Sequence, residues 1–115
     1  MSIGIDLDRF EHFRDAEWRL LEALSPTEIK VVFAVQDKAR AFDWITIHLE
    51  FNGVSDAKLI ESSKLSFIDM SEGVSITYKD NKFYFCIGRC DNTSSIKDSM
   101  CYIKSSFIKY KQGSF

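Results

Sequence analysis

Residues 74–87 alternate apolar and polar on both sides of an Asp80-Asn81 pair, and this pattern constrains the fold more than any other part of the chain. Val74, Ile76 and Tyr78 alternate with Ser75, Thr77 and Lys79, and Phe83, Phe85 and Ile87 alternate with Tyr84 and Cys86. Asp and Asn tolerate the left-handed backbone that a two-residue hairpin loop requires. A loop at Asp80-Asn81 sets Tyr78 opposite Phe83, Ile76 opposite Phe85 and Val74 opposite Ile87, with every one of these side chains on one face. A register slipped by one residue sends one strand's apolar set to the other face, so turn chemistry and patterning specify the same pairing.

The same period of two recurs elsewhere. Ile45, Ile47, Leu49 and Phe51 alternate with Thr46, His48, Glu50 and Asn52 in the manner of a half-buried strand that ends at Asn52-Gly53. Ile29, Val31, Phe33 and Val35 share one parity, and the run from 31 to 35 lacks a polar face, which predicts a central strand. Ser25-Pro26-Thr27-Glu28 matches a helix capping box, but the β-branched run behind it makes it the turn between two strands. Residues 16–24 fit two templates. Leu20 to Leu24 favour helix, while Ala16, Trp18 and Leu20 alternate with Glu17 and Arg19; strand is preferred. Leu7, Phe10 and Phe13 or Arg14 at helical spacing predict a short helix within 6–15, capped by Asp6 or Asp8. Residues 37–42 and 91–98 read as polar loops, and Leu65, Phe67 and Ile68 as a short strand or loop tucked against the core. The last strand, 100–110, changes apolar parity from Cys101 and Ile103 to Ile108 and Tyr110, which predicts a bulge or bend at 104–106.

Connections this short exclude parallel crossovers. The expected architecture is mainly β, bordering on α+β: an antiparallel β-sandwich or curled partial barrel of about six or seven strands with one short N-terminal helix. The 115 residues make one domain, 1–115.

Fifteen Lys and Arg against seventeen Asp and Glu give a net charge of -2, so no long-range positive field gathers nucleic acid or anionic lipid. Direct nucleic-acid binding and membrane attachment are not expected. No apolar stretch reaches transmembrane length, and residues 1–8 lack the basic start and apolar run of a signal peptide, which points to the cytoplasm. Cys86, Cys90 and Cys101 are odd in number, which argues against a purely intramolecular disulfide framework and agrees with a reducing compartment.

The search for chemistry finds no catalytic constellation, and no cofactor or metal is expected. His48 beside Glu50 is the best acid/base candidate, and His12 has less to recommend it; for both, a solvated sheet or helix surface explains the residue equally well. Cys86-x-x-x-Cys90 with Cys101 and a histidine lacks the spacing of a zinc knuckle, so Cys86 and Cys101 read as small apolar residues in or near the core. The five glycines form no phosphate-binding run. Lys104, Phe107, Lys109, Tyr110 and Lys111 suit either a base-stacking surface or an edge strand guarded by lysines.

Phe13-Arg14-Asp15-Ala16, a hairpin, and then Ile45-Thr46-Ile47-His48-Leu49-Glu50-Phe51-Asn52-Gly53-Val54 together resemble a pattern of small bacterial proteins. Many of those are similar to immunity proteins of polymorphic-toxin and contact-dependent growth inhibition systems. The likeness covers about half of the chain. Arg14 stands where that pattern more usually carries histidine, so no role tied to that histidine carries over. The resemblance implies a β-rich fold and a protein that blocks a cognate toxin C-terminal domain without catalysis. A monomer or weak dimer is expected. If that domain is a nuclease, its basic groove would meet carboxylates such as Asp37, Asp43, Asp56, Glu61, Asp69 and Glu72. Trp44, Tyr78 and Tyr84 are the expected aromatic anchors, because Trp and Tyr dominate interface hot spots. A non-catalytic binding or scaffold module of a larger intracellular complex is the alternative.

Overall fold

A computed structural model describes residues 7–90, 96 and 98–114. The alternating segments form eight strands: β1 (Glu17–Ser25), β2 (Glu28–Asp37), β3 (Asp43–Asn52), β4 (Asp56–Lys58), β5 (Val74–Lys79), β6 (Lys82–Ile87), β7 (Tyr102–Ser105) and β8 (Phe107–Ser114). They assemble into two antiparallel sheets, β1-β2-β3-β8 (sheet A) and β4-β7-β6-β5 (sheet B), which face each other as an open sandwich. The sheet class is the one the patterning predicts.

The β5–β6 hairpin has the predicted register, Val74 to Ile87, Ile76 to Phe85 and Tyr78 to Phe83. Its loop places Asp80 at φ 53° and Asn81 at φ 64°, the left-handed conformation those residues tolerate. The β1–β2 hairpin turns at Pro26-Thr27, so the capping-box match is a turn after all. β2 is an interior strand, and even its second-parity residues Val32 and Ala34 are buried.

Residues 16–24 are strand, and the structure explains their double reading. A bulge between Trp18 and Leu20 brings Trp18 and Leu21 both into the core, a three-residue spacing that imitates a helix. The parity change at the C-terminal end is larger than a bulge. At Ser106 the chain leaves sheet B and enters sheet A, so one expected strand becomes β7 and β8. With the three-residue β4, this raises the strand count above the expectation.

The short N-terminal helix is of the 3-10 type: Leu7–Phe13 forms 3-10 turns across a kink, with Phe10, Glu11 and His12 outside helical geometry. The Asp6 cap lies outside the described residues. Two other expectations need correction. Leu65 is buried as expected, in a 3-10 turn (Ser62–Phe67) packed on β1, whereas Phe67 is 83% exposed. Cys86 and Cys90 form a disulfide despite the odd cysteine count, and Cys101 is the buried free thiol.

The core is aromatic where the sheets meet. Phe33 is the hub, with ring centroids 5.2 Å from Phe13, 5.3 Å from Trp18 and 6.3 Å from Phe85. Phe51 closes the set at 5.2 Å from Phe85. A second, smaller cluster lies on the far side of sheet B, where Cys86, Cys90 and Ile96 pack with Tyr84 and Tyr102. The outer face of sheet A carries no such cover among the described residues.

Candidate binding surfaces

The residues nominated from sequence are dispersed. Asp37, expected on a solvated face, is fully buried at the end of β2, where Arg9 Nε donates to its Oδ1 at 2.7 Å and Ala39 N donates at 3.0 Å. The Arg9 guanidinium holds this carboxyl below the usual carboxylate range against the opposing effect of burial. It anchors the first turn to the β2–β3 connection and presents nothing to a partner. Asp43 and Trp44 open β3, both exposed. Asp56 and Tyr84 meet on the outer face of sheet B through Lys104, which is paired with Asp56 across β4–β7 and with Tyr84 across β6–β7. Lys104 Nζ sits 5.6 Å from the Tyr84 ring, and Tyr102 OH donates to both Asp56 oxygens at 3.3 Å. Burial, then the Asp56 carboxylate, raises the Tyr102 phenol above its ordinary value. Tyr78 lies at the hairpin tip against Phe83, with Glu61, Asp69 and Glu72 in the loops between β4 and β5. Asp69 accepts from Ser71 N at 2.9 Å, and that backbone bond lowers its pKa.

Two other surfaces are better built, and of the nominated partner-binding residues only Glu72 lines either of them. The first is a strained corner. Glu11, His12, Phe13 and Asp15 all have positive φ, between 54° and 62°, which costs each about 1 kcal/mol or more. Tertiary contacts impose the conformation. Phe13 is fully buried, Asp15 N donates to Met70 O at 2.8 Å, and Gly73 N donates to the same oxygen at 3.0 Å. The corner borders a cleft of about 450 Å³ lined by His12, Arg14, Glu72 and Arg89 among others. Its charges are mutually satisfied in part: Arg14 pairs with Glu11 at 3.1 Å and His12 with Asp8 at 2.7 Å.

The second is a groove of about 520 Å³ on the bare face of sheet A. Strand alternation builds it. Lys30 of β2 stands beside Glu50 of β3, which stands beside Lys109 of β8; in the next row Val32, His48 and Lys111 are neighbours. Gly113 forms part of the groove floor, because a Cβ there would meet Thr46 Oγ1 at 2.7 Å and His48 Nε2 at 3.2 Å. None of Lys30, Lys109 and Lys111 forms an ion pair among the described residues. The signal was present in the alternation of 44–50 and of 107–113, but only the β3–β8 pairing joins the two stretches.

His48 Nε2 lies 3.3 Å from Thr46 Oγ1, and no hydrogen bond joins its ring to Glu50. Burial, followed by Lys30 and Lys111, lowers its pKa against the weaker opposite pull of Glu50, which favours the neutral ring. Cys86 and Cys90 spend their sulfurs on each other, and burial pushes the Cys101 thiol up to about 12, so it holds its proton at neutral pH. Among the described residues no group of three His, Cys, Asp or Glu side chains is placed to hold a metal ion, and no helix is long and apolar enough to cross a membrane. Compared with known protein families, curated proteins and solved structures, the chain matches none.

Proposed function

We propose that the protein is an immunity protein, which binds a cognate toxin domain and neutralises it by covering that domain's working surface. The observation that carries this reading is the outer face of sheet A around Lys30, His48 and Lys109, which no element among the described residues covers. A four-stranded sheet backed by an aromatic core fixes the backbone that presents Trp44, His48 and the β8 lysines before a partner arrives, so docking orders side chains and not backbone. Trp44, 39% exposed on this face, is the natural anchor. The resemblance supports a toxin as the partner, and its longer segment is β3, the strand that runs through the middle of the bare face. The nominated carboxylates do not form one acidic surface, so a phosphate-mimicking patch is not the basis of the proposal. The compartment this reading implies is the cytoplasm, where a delivered toxin acts and where the Cys86–Cys90 pair would be held as thiols.

The test is survival of cells that express a candidate toxin domain with and without this protein, followed by isolation of the complex. Protection together with a stoichiometric complex supports the proposal. Equal survival in both cultures removes it. Within such a complex, Trp44→Ala should weaken binding by about 2 kcal/mol, or roughly thirtyfold.

A further inference from the structure

The groove on sheet A has a definite charge, and that charge selects a class of partner. It holds three lysines against one carboxylate, in a chain whose net charge is -2. Glu50 stands between Lys30 and Lys109 without closing an ion pair to either among the described residues, so the groove keeps an excess of positive charge. Lys109 and Lys111 are next-but-one neighbours on one face of β8, with Lys30 two strands away across Glu50, and an incoming anion relieves the repulsion between the β8 pair. β8 is the last strand of the sheet, so the groove is open along that side and a bound chain can leave it without crossing another strand. Phe107 lies on the same face of β8 as Lys109 and Lys111 and is 65% exposed, an apolar contact next to the cations.

We infer that this groove takes an acidic segment of a protein partner, seating its carboxylates against Lys30, Lys109 and Lys111 with an apolar side chain on Phe107. The inference deepens the proposed function, since it rests on a protein partner and names the chemistry of the contact. A nucleic-acid strand fits less well. Its evenly charged backbone continues past the groove onto the exposed carboxylates Glu17, Glu22 and Glu28 of β1 and β2, whereas a short acidic segment can set its carboxylates on Lys109 and Lys111, away from Glu22, which lies directly opposite Lys30. Lysines on an edge strand also deter a second copy of the chain from pairing there, and the same repulsion leaves the site free for an anionic partner.

The experiment is a fluorescence-anisotropy titration of the full chain with three labelled probes: a peptide of alternating Glu and Val, its Lys-for-Glu counterpart, and an oligothymidylate. Amide chemical-shift mapping locates the contact. The inference expects the acidic peptide to bind, with shifts at Thr46, His48, Lys111 and Gly113. Lys109→Glu with Lys111→Glu should weaken it at least tenfold, and Lys109→Ala with Lys111→Ala by less; both pairs are exposed, and an unchanged amide spectrum away from β8 verifies the fold. No binding, equal binding of both peptides, shifts centred elsewhere, or preference for the oligothymidylate each overturns it. The two readings fail separately. Protection from a toxin by a protein that ignores the acidic peptide removes this inference alone, while peptide binding without protection removes the immunity role alone.

Discussion

Gly73 is the residue on which the strained corner turns, and replacing it by alanine separates two kinds of cost. Its φ is +71°, and a Cβ built there would lie 2.0 Å from the His12 carbonyl oxygen and 3.0 Å from Arg14 N. Neither atom is the end of a flexible side chain, so the 11–15 turn must move away. That movement strains the hydrogen bonds from Asp15 N to Met70 O and from Gly88 N to Gly73 O. The backbone conformation alone costs an L-residue about 1–2 kcal/mol, and a displaced turn with a weakened hydrogen bond adds about 1–2 kcal/mol more. Gly73→Ala should therefore destabilise the fold by about 3 kcal/mol, lowering Tm by roughly 10 °C in a domain of this size. Gly88→Ala is the matched control. Gly88 has φ +94° with nothing within 4 Å of its virtual Cβ, so it reports the backbone cost without the clash. Urea unfolding of both variants checks the argument. Gly88→Ala equal to or worse than Gly73→Ala would refute the claim that close approach to His12 holds this corner in place.

Other consequences are measurable in the same way. Asp37→Ala leaves Arg9 without its buried carboxylate, which should cost about 2–3 kcal/mol, discounted from a fully buried pair because Arg9 is one-third exposed. Since the folded pKa of Asp37 lies below its ordinary 3.8, its contribution is complete above that pH and drains away as pH falls through the folded value. Asp37→Asn should accordingly flatten the acid limb of the stability profile. His48 titrates below its ordinary 6.5 in the folded state, so its contribution is intact above that pH and is lost as acidification reaches the folded value. An NMR titration should show an imidazole midpoint below 6.5, and a midpoint above it would contradict the desolvated setting among lysines. Reducing Cys86–Cys90, which closes a loop of sequence separation 4, should lower stability by about 2 kcal/mol on loop-entropy grounds. The doubly substituted Cys86→Ser, Cys90→Ser protein should not respond to the reductant.

What was legible in the chain follows the range of the interaction that decides it. The β5–β6 register depends on a turn and two adjacent alternating runs, all within 74–87, so sequence and structure agree residue by residue. The strands of 29–35 and 45–51 were equally readable, because one face of each lies in a core that only needs to be apolar. Residues 11–15 were not. Glu and Phe carry no preference for a left-handed turn, the mild one of His12 and Asp15 does not stand out in sequence, and the helical spacing of Phe10 and Phe13 satisfies a helix and this turn alike. Asp37 misled for the same reason: its partner Arg9 is 28 positions away, and an aspartate followed by Lys-Ala-Arg looks like any solvated loop.

The groove carries this reasoning to function. Its lysines come from strands β2 and β8, which are joined only through β3, and the same strand pairing decides that Lys30, Glu50 and Lys109 form one row. Seen along the sequence, Lys109 and Lys111 are an edge guard and Lys30 an isolated cation; seen across the sheet, they make a charged surface. The contrast bears on how a partner would be chosen. Scattered carboxylates give a protein of mild net acidity a weak, long-range preference for basic surfaces, screened within about 8 Å at physiological salt. A concentrated group of unpaired lysines beside an exposed aromatic acts at contact distance, where desolvation makes a mismatched charge costly. Specificity on sheet A would therefore come from the rejection of basic segments as much as from the attraction of acidic ones.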